Sequence, residues 1–316
     1  LKRKAIAVLI AKLLLSLALF ALVLAKVHPA PVVDVLRQAD PFLVGLWYAL
    51  VPVVVAFSAW RWKVLAPSLS YRTAVKYTWI GLFFGHVLPG SIAGDIAKGV
   101  SLALKDSTGR SGLAASIVAE KVIGLVALLV LFDLACAVVY TLYADASLEV
   151  RDLAAVALVL SLLGAFATAI VTLVSVRSDF LATVSRLRFA GRVAEGIAAA
   201  AKFYRNRPSL VVKGFVISVV IHIMNIVAMY ISFRALQVDA GLLFASVVYP
   251  VLSVMLLIPI SVSGIGVRDA TLALLFTLFG LSAASGVALS WLTLLAVIPN
   301  VAVGGVVQLA EMYRKS

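Results

Sequence analysis

The chain predicts an all-α polytopic membrane protein with about six transmembrane helices and two re-entrant broken-helix pairs in an inverted repeat. Three observations lead there. Of its 316 residues 64% are hydrophobic and 13% charged, with a mean hydropathy of +1.14, a composition foreign to soluble domains. Several apolar runs reach the ~18–20 residues needed to cross a hydrocarbon core about 30 Å thick. The spacing P-x-S-x-x-G occurs twice, as Pro89, Ser91, Gly94 and as Pro259, Ser261, Gly264, and each time an apolar run stops and resumes beside an aspartate, Asp95 or Asp269. A membrane tolerates freed backbone groups only where protein or a water-filled cavity satisfies them. Two such breaks at matching positions therefore point to a substrate site.

Taken in order, span one covers residues 5–25 behind Lys2, Arg3 and Lys4, which hold its start in the cytoplasm. Its apolar core has no small-residue cleavage site and reads as a retained helix rather than a signal peptide. Lys12 within it snorkels or faces the bundle. Residues 26–41 read as an extracytoplasmic loop. Span two, residues 43–60, ends at Trp60, Arg61, Trp62 and Lys63, an aromatic and basic cytoplasmic boundary. Residues 77–89 and 92–104 are each too short to cross alone at about 1.5 Å per residue. With Lys105 and Arg110 after them, they form a re-entrant pair dipping in from the cytoplasm.

Span three covers residues 113–141, the acidic loop Asp145, Glu149 and Asp152 lies outside, and span four covers 153–175. Residues 177–208 set Arg177, Arg186, Arg188, Arg192, Lys202, Arg205 and Arg207 against Asp179 and Glu195, with apolar residues at three- and four-residue spacing. That pattern predicts an amphipathic helix along the inner leaflet, or one that docks a soluble cytoplasmic partner. Span five, residues 209–236, runs outward, residues 241–258 and 266–280 form the second broken pair, and span six, residues 284–310, returns to Arg314 and Lys315 inside. The whole of 1–316 is then one membrane domain, with repeat one at 43–141 and repeat two at 209–311, and both termini cytoplasmic.

The formal net charge of +13 sits in the short loops, where orientation and attraction to anionic lipid explain it without nucleic acid. A single Cys136 in an apolar run builds no disulfide framework, and His28, His86 and His222 are too dispersed for a metal centre. No Walker loop, GxSxG or HExxH occurs, so no enzyme signature and no cofactor site is found.

Candidate chemistry gathers at the breaks. Each new half-helix begins with unpaired N–H groups and a partial positive charge, with Ser91 and Ser263 beside the starts, so either could hold an anion such as a phosphate. Arg268 adds a full positive charge in the first turn of the second half-helix. It is the leading substrate-binding candidate, the alternative being a structural pair with Asp95 or Asp269. Asp95, with Lys98 one turn on, and Asp269 either stabilise helix starts or bind a proton or an amine. Glu120 and Lys121 lie about two turns into span three and should face the protein interior. His86, just before the first break, is an interior histidine or a proton relay. His222, Asn225 and Asn300 read as interhelical hydrogen-bond groups.

LPGSIAGDIAKG at 88–99, AEKVIGLVAL at 119–128 and IPISVSGIGVRDATLALLF at 258–276 resemble, in order, the motifs of a flippase-like membrane family. It is the family that includes the transmembrane region of lysylphosphatidylglycerol synthase, the multiple peptide resistance factor. The similarity covers most of the chain. Where that family is richer in Asn and Phe before the proline, this chain has Gly85 and His86; where it often has Asp-Arg, this chain has Glu120 and Lys121. The resemblance implies movement of a polar lipid, such as an aminoacylated phospholipid, hopanoid or lipid-linked sugar, between leaflets of a bacterial inner membrane. It does not imply lipid aminoacylation, which belongs to a separate soluble domain.

The expectation is thus a non-enzymatic flippase whose partners are membrane lipids with anionic or zwitterionic headgroups. A homo-oligomer, or a partner at 177–208, is left open. The rivals are a membrane enzyme or glycosyltransferase subunit acting on a lipid-linked phosphate, and a non-transporting scaffold.

Overall fold

The computed structural model describes residues 2–87, 92–103, 110–142, 190–257 and 261–313. Among them the protein is helical throughout, without strands. In chain order the helices are α1 (Lys2–Val27), α2 (Pro29–Arg37), α3 (Pro41–Leu65), α4 (Tyr71–Val87), α5 (Ile92–Ala103), α6 (Arg110–Leu142), α7 (Ala190–Tyr204), α8 (Pro208–Ala235), α9 (Leu242–Leu257), α10 (Val267–Leu278) and α11 (Ala283–Tyr313). Four are long and apolar enough to cross a membrane: α3, Gly112–Thr141 of α6, α8 and α11. Leu14–Val27 and Pro29–Arg37, bent by 83°, make a fifth if counted as one span. The predicted fourth span, the acidic loop before it and residues 177–189 lie outside the described residues.

The expected loop at 26–41 is corrected. His28 turns the chain at φ 59°, and Pro29 and Pro31 then start α2, where a missing N–H costs nothing. Fully buried Val32 anchors this short helix. The predicted end of span two is also corrected. The helix runs through Arg61 and Trp62 to Leu65, because both side chains find partners inside the protein.

The described helices pack as two compact units. Unit 1 comprises Leu1–Val55, Lys76–Lys98 and Asn225–Ser316; unit 2 comprises Ala56–Val75 and Gly99–Met224. In unit 1, α10 packs on α11, α9 and α1, and α11 on α2. The α10–α11 approach is close because Gly286 carries no Cβ, which would lie 2.6 Å from the Leu272 carbonyl oxygen. Fully buried Phe233 and Phe276 meet edge to face with ring centroids 5.7 Å apart, and Phe244 packs on both. Lys76 pairs with Glu311, which also accepts from the Tyr77 hydroxyl at 3.5 Å, so α4 is tied to the end of α11.

In unit 2 the apolar face of α7 is seated on protein. Ala200 and Tyr204 join Leu65, Ala115, Ala119 and Ile123 in one buried cluster, and the Tyr204 hydroxyl donates to the Leu65 carbonyl at 2.5 Å. For residues 190–204 part of the predicted apolar stripe is thus met by α6 and the end of α3.

Candidate functional site

The site is built on the stretch Ser261–Asp269. Ser263, Gly264 and Gly266 hold φ of 54°, 77° and 79°, left-handed conformations immediately before α10 that set where it starts. Gly266 is required twice over, since a Cβ there would lie 2.6 Å from Leu19 Cβ and 2.8 Å from the Ser16 carbonyl oxygen of α1. Ser16, itself buried, accepts the Val262 N–H at 3.0 Å and fixes the turn.

Arg268 follows in the first turn of α10 and is only 4% exposed. Its Nε donates to Ser290 Oγ of α11 at 3.2 Å, and its Nη2 to the Ser263 carbonyl at 3.2 Å. Both partners are neutral. Of the expected alternatives, Asp95 and Asp269, neither stands in ion-pair contact with Arg268 among the described residues, but Asp269 is near enough for its charge to act on the guanidinium. Asp269 turns back to accept the Gly266 N–H at 2.8 Å, so the chain itself supplies the anion that the helix start favours. Arg268, rather than the backbone, is the open donor here. On insertion scales an arginine deep in a membrane costs about 2.5–3.5 kcal/mol, which two neutral oxygens offset only in part.

The other broken pair reaches the same site. His86, near the end of α4, lies close enough to Arg268 for the guanidinium charge to act on its imidazole; its Nδ1 donates to the Leu82 carbonyl at 2.9 Å, leaving Nε2 as the outer atom. α5 lies against α4 through Gly81, Gly85 and Gly94, where a Cβ on Gly94 would sit 2.9 Å from Gly85 Cα. Lys98, 4% exposed, runs over Gly81 and pairs with Asp95 at 3.5 Å. Ser91 lies outside the described residues, as do Pro89 and Pro259.

Unit 1 therefore brings together Arg268, Ser263, Asp269 and His86, with the Asp95–Lys98 pair on α5. Glu120 and Lys121 belong to unit 2. Glu120 is buried and accepts from Arg61 Nη2 at 2.9 Å. Lys121 is exposed, which corrects the expectation that both face inward: neighbours on a helix point about 100° apart. His222 does link helices, Nε2 to the Gly124 carbonyl at 2.9 Å. Asn300 instead donates to Ala296 of its own helix at 2.7 Å, which corrects its assignment as an interhelical group. Among the described residues no three His, Cys, Asp or Glu side chains gather as a metal centre.

Sequence reasoning missed Ser16 and Ser290, which carry no local signal, and Arg61, whose aromatic neighbours mimic a membrane boundary. The GxxxG spacing of Gly81 and Gly85 was available as a close-packing signal.

Long apolar helices, with a charged centre at a broken one, define an integral membrane protein with several spans. Within that class the chain belongs to the family of the lysylphosphatidylglycerol synthase TM region, whose model matches residues 9–304. No curated protein and no solved structure matches it.

Proposed function

We propose that this chain is a non-enzymatic lipid transporter of the bacterial inner membrane, with cytoplasmic termini, that passes a polar headgroup between leaflets while the acyl chains stay in the bilayer. The observation that carries the reading is Arg268: a buried cation in the first turn of α10, hydrogen-bonded to the neutral Ser263 carbonyl and Ser290 hydroxyl, with Asp269 near enough for its charge to act on the guanidinium. Direct contacts with neutral groups leave guanidinium donors for a guest, where a carboxylate in contact would occupy them. Membership in a lipid-handling membrane family supports the same reading. Transport is downhill, or driven by an ion gradient or by consumption of the lipid on one side.

The test is headgroup accessibility in proteoliposomes containing labelled anionic, zwitterionic or aminoacylated lipids. Wild type is expected to move one class between leaflets, and Arg268→Ala to slow that movement at least about tenfold, the equivalent of losing roughly 1.4 kcal/mol of stabilisation. A folded wild type that moves none of them would overturn the proposal.

A further inference from the structure

We infer that unit 2 carries a lipid site of its own, for a resident rather than a transported lipid: an acyl chain seated in the groove between the end of α3 and the start of α4, with an anionic phosphodiester headgroup at Lys63 and Arg72. The groove holds about 320 Å³ and is lined by Ala56, Phe57, Trp60 and Tyr71, at the lower end of the roughly 300–1,000 Å³ of small-ligand cavities. Its walls are fixed. The Tyr71 hydroxyl donates to the Ala56 carbonyl at 3.2 Å, and Phe57 and Trp60 meet edge to face with ring centroids 5.8 Å apart. Yet Trp60 is 48% exposed and Tyr71 44%, so the rings form a lip rather than a filled core. The groove opens on a helix long and apolar enough to span the membrane, and what lies beside such a helix is hydrocarbon. An acyl chain is the occupant of matching chemistry.

Charge selects the headgroup. Lipid tails are as apolar as the groove, so filling it gives position without preference. Between Asp40 and Asp95 the chain has no acidic residue but four basic ones, Arg61, Lys63, Arg72 and Lys76. Arg61 is spent on Glu120 and Lys76 on Glu311. Lys63 and Arg72 are left, neither in ion-pair contact with a carboxylate among the described residues. Lys63 Nζ donates to a neutral group, the Pro67 carbonyl, at 2.6 Å. Arg72 is exposed in the first turn of α4, where no acidic residue offsets the partial positive charge of the helix start. Both border the groove. Ala56, Trp60 and Lys63 follow at four- and three-residue spacing on one face of α3, about 10 Å from first to last, and Arg72 is next to Tyr71. Aromatic rings with cations just beyond them are the arrangement of a membrane interface. Two cations without acids beside them favour an anionic phosphodiester over a zwitterionic headgroup, whose ammonium they would repel.

Trp60 is the reporter. The full chain is placed in nanodiscs of zwitterionic lipid containing increasing fractions of a lipid with brominated acyl chains, which carries either a glycerol phosphodiester or a zwitterionic headgroup. Bromine quenches the fluorescence of a tryptophan that it touches, and the part of the quenching lost in Trp60→Phe is the signal from the groove. With each cation near a lipid surface worth about fivefold in affinity, half-maximal quenching of Trp60 is expected to need at least about tenfold less anionic than zwitterionic lipid at low salt. Lys63→Gln and Arg72→Gln should each raise the anionic requirement about fivefold, and Arg268→Ala should leave it unchanged.

Equal quenching by the two brominated lipids overturns the proposal, since it would reduce the groove to ordinary lipid contact; that comparison uses wild type and stands even if a variant fails to fold. Quenching by neither would mean that protein, a second copy included, covers the groove, and overturns it as well. A preference for the anionic lipid that vanishes in Arg268→Ala would place that lipid in the transport path and not here. Anion-selective quenching that survives Arg268→Ala and falls with Lys63→Gln and Arg72→Gln supports the resident site, whether or not any lipid crosses between leaflets.

Discussion

Arg61 Nη2 donates to Glu120 Oε1 at 2.9 Å, joining α3 to α6 within unit 2 with side chains only 13% and 6% exposed. Nη1 of the same arginine donates to Ser218 Oγ of α8 at 3.1 Å, and Gly124 leaves it room, since a Cβ there would lie 3.3 Å from Nη1. Three helices thus meet at one guanidinium. Removing one member of a buried pair strands the other, so Arg61→Gln and Glu120→Gln should each cost about 3–5 kcal/mol, and the double substitution less than their total. Unfolding in detergent measures all three; simple additivity would mean that the two residues do not act as a unit.

Gly94→Ala should separate α4 from α5. The new methyl would sit 2.9 Å from Gly85 Cα and 3.0 Å from Gly85 N, and would also strike the Gly81 carbonyl. These are backbone atoms that cannot swing aside, so a loss of about 1–3 kcal/mol is expected. Gly85→Ala is the control. Its methyl meets Gly94 Cα at an ordinary 3.6 Å, and alanine favours a helix interior by roughly 0.5–1 kcal/mol. Thermal unfolding should rank Gly85→Ala at or above wild type and Gly94→Ala below it.

Gly266→Ala should dismantle the turn that aims Arg268. At φ 79° a side chain costs about 1–2 kcal/mol, and the methyl would press on Leu19 and the Ser16 carbonyl of α1. Ser16→Ala is milder, removing one acceptor for the Val262 N–H at a cost of about 1–2 kcal/mol. In the transfer assay both should slow the movement that depends on Arg268, Gly266→Ala the more. Unchanged transfer in a folded Gly266→Ala protein would detach the turn from the activity.

Tyr204 provides a pH test outside the spans. Burial pushes its phenol up to about 12, with Arg207 opposing the rise and Glu120 adding to it. A raised pKa means the folded protein prefers the protonated phenol, the form that donates to the Leu65 carbonyl. Its contribution is therefore complete below the ordinary tyrosine value of about 10 and is lost as pH rises from about 10 toward about 12. Tyr204→Phe should cost about 1 kcal/mol at neutral pH and flatten the stability profile over that window; an unchanged profile would place the titration elsewhere.

Much of this architecture was legible in the chain. The helices expected at 241–258 and 266–280 are found at Leu242–Leu257 and Val267–Leu278; Gly264 and Gly266 set the start of the second through their own backbone and need no distant partner. α4 starts at Tyr71 rather than at 77, since Arg72 and Lys76 interrupt apolarity without interrupting helix. Residues 26–41 mislead for the converse reason: three prolines signal a loop, yet Pro29 and Pro31 fall in the first turn of α2 and Pro41 opens α3, positions where proline is at home.

The membrane environment and the helical class were readable in the chain, because apolar length and the demand for backbone hydrogen bonds in lipid are local properties. Which charges are spent was settled by the packing of distant segments. Arg61 is separated from Glu120 by 59 positions and Arg268 from Ser290 by 22, and no periodicity encodes such meetings. Whether a buried ion is paired depends on which helices pack side by side. That packing set Asp95 and Glu120 against cations and gave Arg268 hydrogen bonds to neutral oxygens, with the charge of Asp269 near it.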